Sequence, residues 1–174
     1  VVDPTQLSQG ELERLSRGYI RAIANFIGDN KDIPAPDVNT NAQIMSWMID
    51  ELSVIRGYNE LGAITGKPVG FGGSLARTEA TGFGIANTVR MAAEKVGIEF
   101  KGAKIAVQGF GNVGSFTCKY LDEFGAKVVA ISDVSCALYN ENGIDVNALR
   151  EYVKGNKNLI TGFPGAKELP REDI

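Results

Sequence analysis

The chain has 174 residues, 44% of them hydrophobic, and 18 basic against 21 acidic side chains give a formal charge of −3, the profile of an ordinary globular protein. No apolar run approaches the roughly 18 to 20 residues of a membrane helix, no signal-peptide layout opens the chain, and no cluster of Lys and Arg offers a nucleic-acid footprint. With no histidine present, Ser-His-Asp triads, Cys-His dyads and His-ligated metals are excluded within these residues, so any proton transfer falls to a carboxylate, Lys, Tyr or Cys.

Ser8-Gln9-Gly10-Glu11 reads as a capping box, and Leu12, Leu15, Tyr19, Ile23 and Phe26 follow at helical spacing toward Gly28, which predicts a helix over about 9–27. Residues 32–41 hold two prolines and read as a rigid, irregular connection. A second helix is capped near Asn41, carries Ile44, Met48, Leu52 and Ile55 on one face, and ends at Gly57. Residues 59–78 are glycine-rich and nearly without regular pattern, as expected of a connection between domains. Thr78 opens a third helix with Ile85, Val89, Ala92 and Val96 along one side and Gly97 at its end. Gly82 and Gly84 weaken its first turns, which suggests that a neighbour comes close there.

From residue 101 the pattern becomes strand, turn, helix, strand, a βαβ unit. Its strands, Ile105–Val107 and Val128–Ile131, are nearly all apolar, as expected of parallel strands covered on both faces. A third strand is expected at Ala137–Tyr139, an Asn142-Gly143 turn next, and a helix capped by Asp145 that buries Val146, Leu149 and Val153. Pro164–Ile174 reads as loop with a helix start at Pro170. The fold class is therefore α/β, a Rossmann-type doubly wound parallel sheet that is incomplete here. Cys118 and Cys136 have neither metal-knuckle spacing nor disulfide density and read as structural thiols of a cytoplasmic protein with no metal site.

Gly109-Phe110-Gly111-Asn112-Val113-Gly114 has G-x-G-x-x-G spacing between a predicted strand and a predicted helix, the context that gives this pattern meaning. The first glycine allows a tight turn, the second lets backbone approach a diphosphate, and the third lets helix and strand pack closely. Asp133 ends the next strand, 19 residues after Gly114, where a carboxylate accepts adenosine-ribose hydroxyls and disfavours a 2′-phosphate; NAD is expected over NADP. The alternative for the glycines alone is a tight turn with no ligand. In the proline-stiffened loop, Asp37 is a candidate acid/base whose pKa a partly buried site would raise. From the residues alone the plainer reading, Asp37 and Asn39 as turn formers, is the favoured one. Lys67 and Arg77 lie in glycine-rich runs and read as anion-binding or ordinary solvated charges.

Taken together and in order, PAPDVNTN, ITGKP, GGSLARTEATGFG and QGFGNVGS resemble the glutamate dehydrogenases of the amino-acid dehydrogenase superfamily along essentially the whole chain. The resemblance implies oxidative deamination of L-glutamate to 2-oxoglutarate and ammonia, with Asp37 moving protons. It puts Arg77 and Thr81 near the nicotinamide carboxamide, Asn112 and Val113 at the dinucleotide turn, Asp133 at the adenosine ribose and Thr65 in the cleft. It further implies a homo-oligomer, commonly a hexamer. Residues 1–58 would end a substrate domain, 59–78 connect, and 79–174 form the first half of the cofactor domain. The family's upstream lysines and the second half of its cofactor domain have no counterpart here, so the chain is expected to be an interior piece, inactive alone. Two alternatives stay open: a leucine, valine or phenylalanine dehydrogenase, and a non-catalytic nucleotide-binding module.

Overall fold

The computed structural model describes residues 2–173, so the first residue of the expected substrate domain and the last residue of the expected cofactor domain and its C-terminal loop lie outside the described residues. The chain divides into two compact units, Val1–Arg77 and Thr78–Ile174.

The first unit is built on α1 (Gln9–Ile23) and α2 (Ala42–Arg56). The capping box is present: the Glu11 N–H donates to Ser8 Oγ at 3.3 Å, and the Ser8 N–H donates back to Glu11 Oε2 at 2.9 Å. α1 stops at Ile23, short of the expected end at 27, because the Phe26 N–H turns back to the Ile23 carbonyl at 2.8 Å and Ile27 pairs with Asp32 as a β-bridge. Arg56 Nη2 donates to the carbonyls of Ala24 and Ile27 at 2.8 and 3.0 Å, satisfying groups that a longer helix would have used itself.

The expected apolar face of α1 needs correction. Leu15, Tyr19 and Phe26 are 41, 50 and 68% exposed, whereas Ser16, Ile20, Ala24 and Ile27 are buried. Both stripes have helical spacing; the buried one was hidden by Ser16, whose hydroxyl donates to the Leu12 carbonyl at 2.7 Å and so tolerates burial. On α2, Asn41 accepts the Ile44 N–H at 3.1 Å and Gly57 closes the helix at φ 76°. Ile44, Met48 and Leu52 are buried with Met45 and Ile49, while Ile55 is exposed. Arg17 meets Asp50 and Arg21 meets Glu51, each at 2.6 Å, and these pairs fasten the helices along their polar edge. Residues 59–76 form only two 3-10 turns, Leu61–Ala63 and Val69–Phe71, but Ala63 and Ile64 complete this core.

The second unit is an α/β layer structure. α3 (Arg77–Lys95) precedes β1 (Lys104–Gln108), α4 (Asn112–Glu123), β2 (Lys127–Ser132), β3 (Ala137–Tyr139), α5 (Val146–Gly155) and β4 (Lys167–Leu169). β1 and β2 run parallel around α4, as the βαβ pattern required. β3 and β4 are antiparallel to their neighbours, so the sheet is mixed, in the order β1-β2-β3-β4. The cause is local: the Asp133 N–H closes onto the Cys136 carbonyl at 3.0 Å, a reversal too short for a crossover. β1 forms the edge and alternates exposed with half-buried residues rather than being covered on both faces. The charged edge strand β4 carried no strand signal, and the helix expected at Pro170 is a 3-10 turn, Arg171–Asp173. Asp145 caps α5 as expected, accepting the Ala148 N–H at 2.8 Å.

α3 buries Gly82 and Ala86, and Ala93 in part, while the apolar side of Ile85, Val89, Ala92 and Val96 is exposed. Backbone proximity decides this. A β-carbon on Gly82 would stand 2.6 Å from Phe116 Cβ and 2.7 Å from the Thr117 nitrogen, whereas one on Gly84 would meet nothing within 4 Å. α3 and α4 therefore touch through a small-residue stripe. Gly82→Ala is expected to destabilise the protein by about 1–3 kcal/mol, and Gly84→Ala to stabilise it by up to ~1 kcal/mol. Denaturant melts of the two variants check this, and equal effects would contradict the close approach.

Candidate dinucleotide site and acidic loop

In the second unit the G-x-G-x-x-G turn joins β1 to α4. The Gly109 N–H extends the sheet by donating to the Ser132 carbonyl at 2.7 Å, and Gly109 takes φ 93°, a left-handed conformation that favours glycine. A β-carbon on Gly114 would overlap the Gly109 carbonyl, while one on Gly111 would meet nothing within 4 Å. The third glycine thus serves helix-to-strand packing and the second leaves open room. The N-cap of α4 is Gly111, which supplies no side-chain cap, so the positive end of the helix is available to an anion.

Beside this turn lies a cavity of about 300 Å³. Gln108, Gly109 and Gly111 line one side, Ser132, Asp133 and Val134 form the middle, and Asn158 and Arg171 lie beyond. It sits at the carboxyl ends of the two parallel strands, where open α/β sheets take ligands. Another hollow, about 320 Å³, lies between Gly102, Asp122, Lys127 and Asp145. There the Asp145 carboxylate caps the start of α5 and stands with Asp122 in the lining, so the charge at that helix start is already met by an acid and a diphosphate would face two carboxylates. The turn therefore fits a dinucleotide, and the second hollow does not.

Phe110 turns its ring into the hydrophobic core, 5% exposed, which leaves only its backbone for a ligand. Asn112 Nδ2 donates to the Thr78 carbonyl at 3.0 Å and ties the turn to the first turn of α3. Val113 is 40% exposed. Arg77 and Thr81 are exposed and share one face of α3, four residues apart.

Asp133 is more deeply engaged than its sequence position suggested. Its Oδ1 accepts the Ser135 N–H at 2.6 Å, the Ser135 hydroxyl at 2.5 Å and the Cys136 N–H at 3.3 Å. Its Oδ2 accepts the Ile160 N–H at 2.9 Å. Burial works against the charge, but the hydrogen bonds from the Ser135 hydroxyl and the N–H groups of Ile160, Ser135 and Cys136 outweigh it and hold the carboxyl below its ordinary value. Because the folded state favours the ionised form, this contribution to stability is complete above the usual carboxylate range and is lost as pH falls through about 4 and below. Asp133→Asn should therefore lower the melting temperature at pH 7 and flatten its decline on the acid side. Parallel acid profiles of wild type and variant would deny the carboxylate this role.

The acidic loop belongs to the first unit. Its turn is held by Thr40: the Thr40 N–H and hydroxyl donate to the Asp37 carbonyl at 3.0 and 2.8 Å, and the Asp37 N–H donates to Thr40 Oγ1 at 2.6 Å. The Asp37 carboxylate is exposed within its unit rather than partly buried, and accepts only the adjacent Val38 N–H at 2.9 Å. Asn39 takes the left-handed position of the turn, φ 58°. Thr65 joins this loop, its N–H donating to the Pro34 carbonyl at 2.9 Å, and Gly66 lies so close to Pro36 that a β-carbon would overlap the proline ring. The TGK and PAPD segments, whose first residues are 31 apart, are thus one local structure. Lys67 departs from the solvated reading: it is 7% exposed and its amine donates to the Ile64 carbonyl. Burial pushes its pKa down, and the charge of Asp29 offsets this in part.

The structure thus groups Asp37 with Thr65 in one unit, and the glycine turn with Asp133 in the other. Asn158 and Arg171 were not legible as cavity residues. Asn158 adopts φ 61°, a conformation that Asn tolerates better than most residues, but an Asn in a loop does not by itself mark a cavity.

The sequence profile described as Glutamate/Leucine/Phenylalanine/Valine dehydrogenase matches residues 72–174, and that of the Glu/Leu/Phe/Val dehydrogenase dimerisation domain matches residues 1–54. The NAD-specific glutamate dehydrogenase of Clostridioides difficile is 58% identical over 100% of this chain, and that of Peptoniphilus asaccharolyticus 54% identical over 99%. This chain spans 42% of the length of each. Among solved structures, the Peptoniphilus asaccharolyticus enzyme superposes with a TM-score of 0.77 at 55% identity, covering 90% of this chain and 41% of its own. The hetero-hexameric glutamate dehydrogenase of Thermus thermophilus superposes with a TM-score of 0.86 at 35% identity, covering 91 and 38%.

Proposed function

Since the chain belongs to the glutamate/leucine/phenylalanine/valine dehydrogenase family, we propose that it is part of an NAD-dependent glutamate dehydrogenase that interconverts L-glutamate with 2-oxoglutarate and ammonia. The observation that carries the cofactor half of this reading is the turn that is open at Gly111 and closed at Gly114. The glutamate half rests on relatives that are similar along the whole chain and named for glutamate. When bound, the dinucleotide supplies the hydride acceptor. The N–H groups at the start of α4 hold the diphosphate, and Arg77 and Thr81 serve the nicotinamide end. Asp133 places a negative charge where a 2′-phosphate would come, which favours NAD.

Asp37 accepts and returns the proton of the substrate's amino group, on a turn that Thr40 keeps rigid and beside Thr65. Residues 1–58 end the substrate and oligomerisation domain, 59–78 connect, and 79–174 begin the cofactor domain. The exposed Leu15, Tyr19 and Phe26 supply apolar surface for a homo-oligomer, in keeping with a hexamer. Two free, buried cysteines suit a reducing cytoplasm. No helix among the described residues is long and apolar enough to cross a membrane.

The test is glutamate-dependent NADH formation by the full-length protein carrying these residues, with leucine, valine and phenylalanine as competing substrates. Preferred turnover of one of those three would replace the glutamate assignment. The 174-residue chain alone is expected to show no turnover.

A further inference from the structure

Two charged side chains line the 300 Å³ cavity, Asp133 and Arg171, and they follow different strands of the sheet's order. The glycine turn follows β1, Asp133 follows β2, and Arg171 follows β4, which is joined to β2 through β3. Neighbouring strands are about 4.8 Å apart, so the lining runs outward from the diphosphate position, past Asp133, to Arg171. A dinucleotide seated with its diphosphate on α4 therefore directs its adenosine ribose toward the Asp133–Arg171 end.

At that end the acid is not a bare charge. Four donors from Ser135, Cys136 and Ile160 already converge on its two oxygens. They fix the side chain's direction and spend part of its field on the protein's own dipoles. The barrier that Asp133 raises against a 2′-phosphate is accordingly partial, and an exposed guanidinium on the same cavity has the planar donor fork that suits a phosphate. Asp133 was legible as a specificity residue from the spacing alone; Arg171 was brought to the cavity by the antiparallel pairing of β4 with β3, across the intervening α5.

We propose that Arg171 is the cationic member of the adenosine-ribose end and sets how much 2′-phosphate the site tolerates, opposing Asp133. The inference rests on the dinucleotide reading of the glycine turn. It concerns only the difference between the two cofactors, because adenine, diphosphate and nicotinamide are common to both.

The experiment is fluorescence titration of the full-length protein with NADH and NADPH, for wild type, Arg171→Ala and Arg171→Lys, with thermal melts of each. Arg171→Ala should weaken NADPH by about fivefold, the scale of one exposed charge pair, and change NADH by less than about twofold. Arg171→Lys should retain most of the NADPH affinity. An equal loss for both cofactors would move Arg171 to a part they share, and an unchanged NADPH affinity would remove it from the site; either overturns the proposal. Wild-type protein that bound neither cofactor would instead overturn the dinucleotide reading on which the proposal stands.

Discussion

Asp37→Asn in the full-length protein is expected to lower kcat by at least about a hundredfold, the lower range for loss of a positioned acid/base, while NADH affinity and melting temperature stay near wild type. The separation is expected because of how the turn is built. Its hydrogen bonds run between the backbone of Asp37 and the hydroxyl and N–H of Thr40, so an amide side chain leaves them intact. The carboxylate itself accepts only the neighbouring Val38 N–H, a bond the amide oxygen can keep. The measurements are glutamate-dependent NADH formation, NADH titration and a thermal melt on one preparation. A kcat within about threefold of wild type would remove Asp37 from the chemistry. A variant that lost NADH binding and stability together would make it a turn former.

The second large effect is a contrast between two glycines of one motif. Gly114→Ala forces a β-carbon into the Gly109 carbonyl. Neither atom belongs to a flexible side chain, so helix and strand must separate, at a cost of roughly 3 kcal/mol. Gly111 has φ −77°, ordinary for any residue, and free space around its α-carbon. Gly111→Val should therefore fold normally and lose dinucleotide affinity by on the order of tenfold or more, because its side chain fills the room the diphosphate needs. Circular dichroism, a melt and an NADH titration on both variants give the answer. Normal cofactor binding by a well-folded Gly111→Val would reduce the turn to a structural feature.

What was legible in the sequence was local. The capping box at Ser8 and Glu11, the Asn41 and Asp145 caps, the Gly57 stop and the βαβ unit around α4 each depend on residues a few positions apart, and each formed as read. The glycine motif belongs with them, because its spacing between strand and helix is itself a local property. Helix faces were a different matter. On α1 the expected stripe stayed largely exposed at Leu15, Tyr19 and Phe26, and the buried one included a Ser16 whose hydroxyl is satisfied within the helix; on α3 burial followed closeness of approach, because only the Gly82-Ala86 stripe fits against α4.

Tertiary structure alone decided the rest. It gave the charged Lys-Glu-Leu segment a strand partner, β3, that no propensity foretold. It set Thr65 against the PAPD loop and buried Lys67 under the Ile64 carbonyl. Asp133 shows the division within one residue. Its place at the end of a strand was written in the spacing, but the Ile160 N–H that fixes its second oxygen comes from 27 residues away, and only folding can bring such a donor to it.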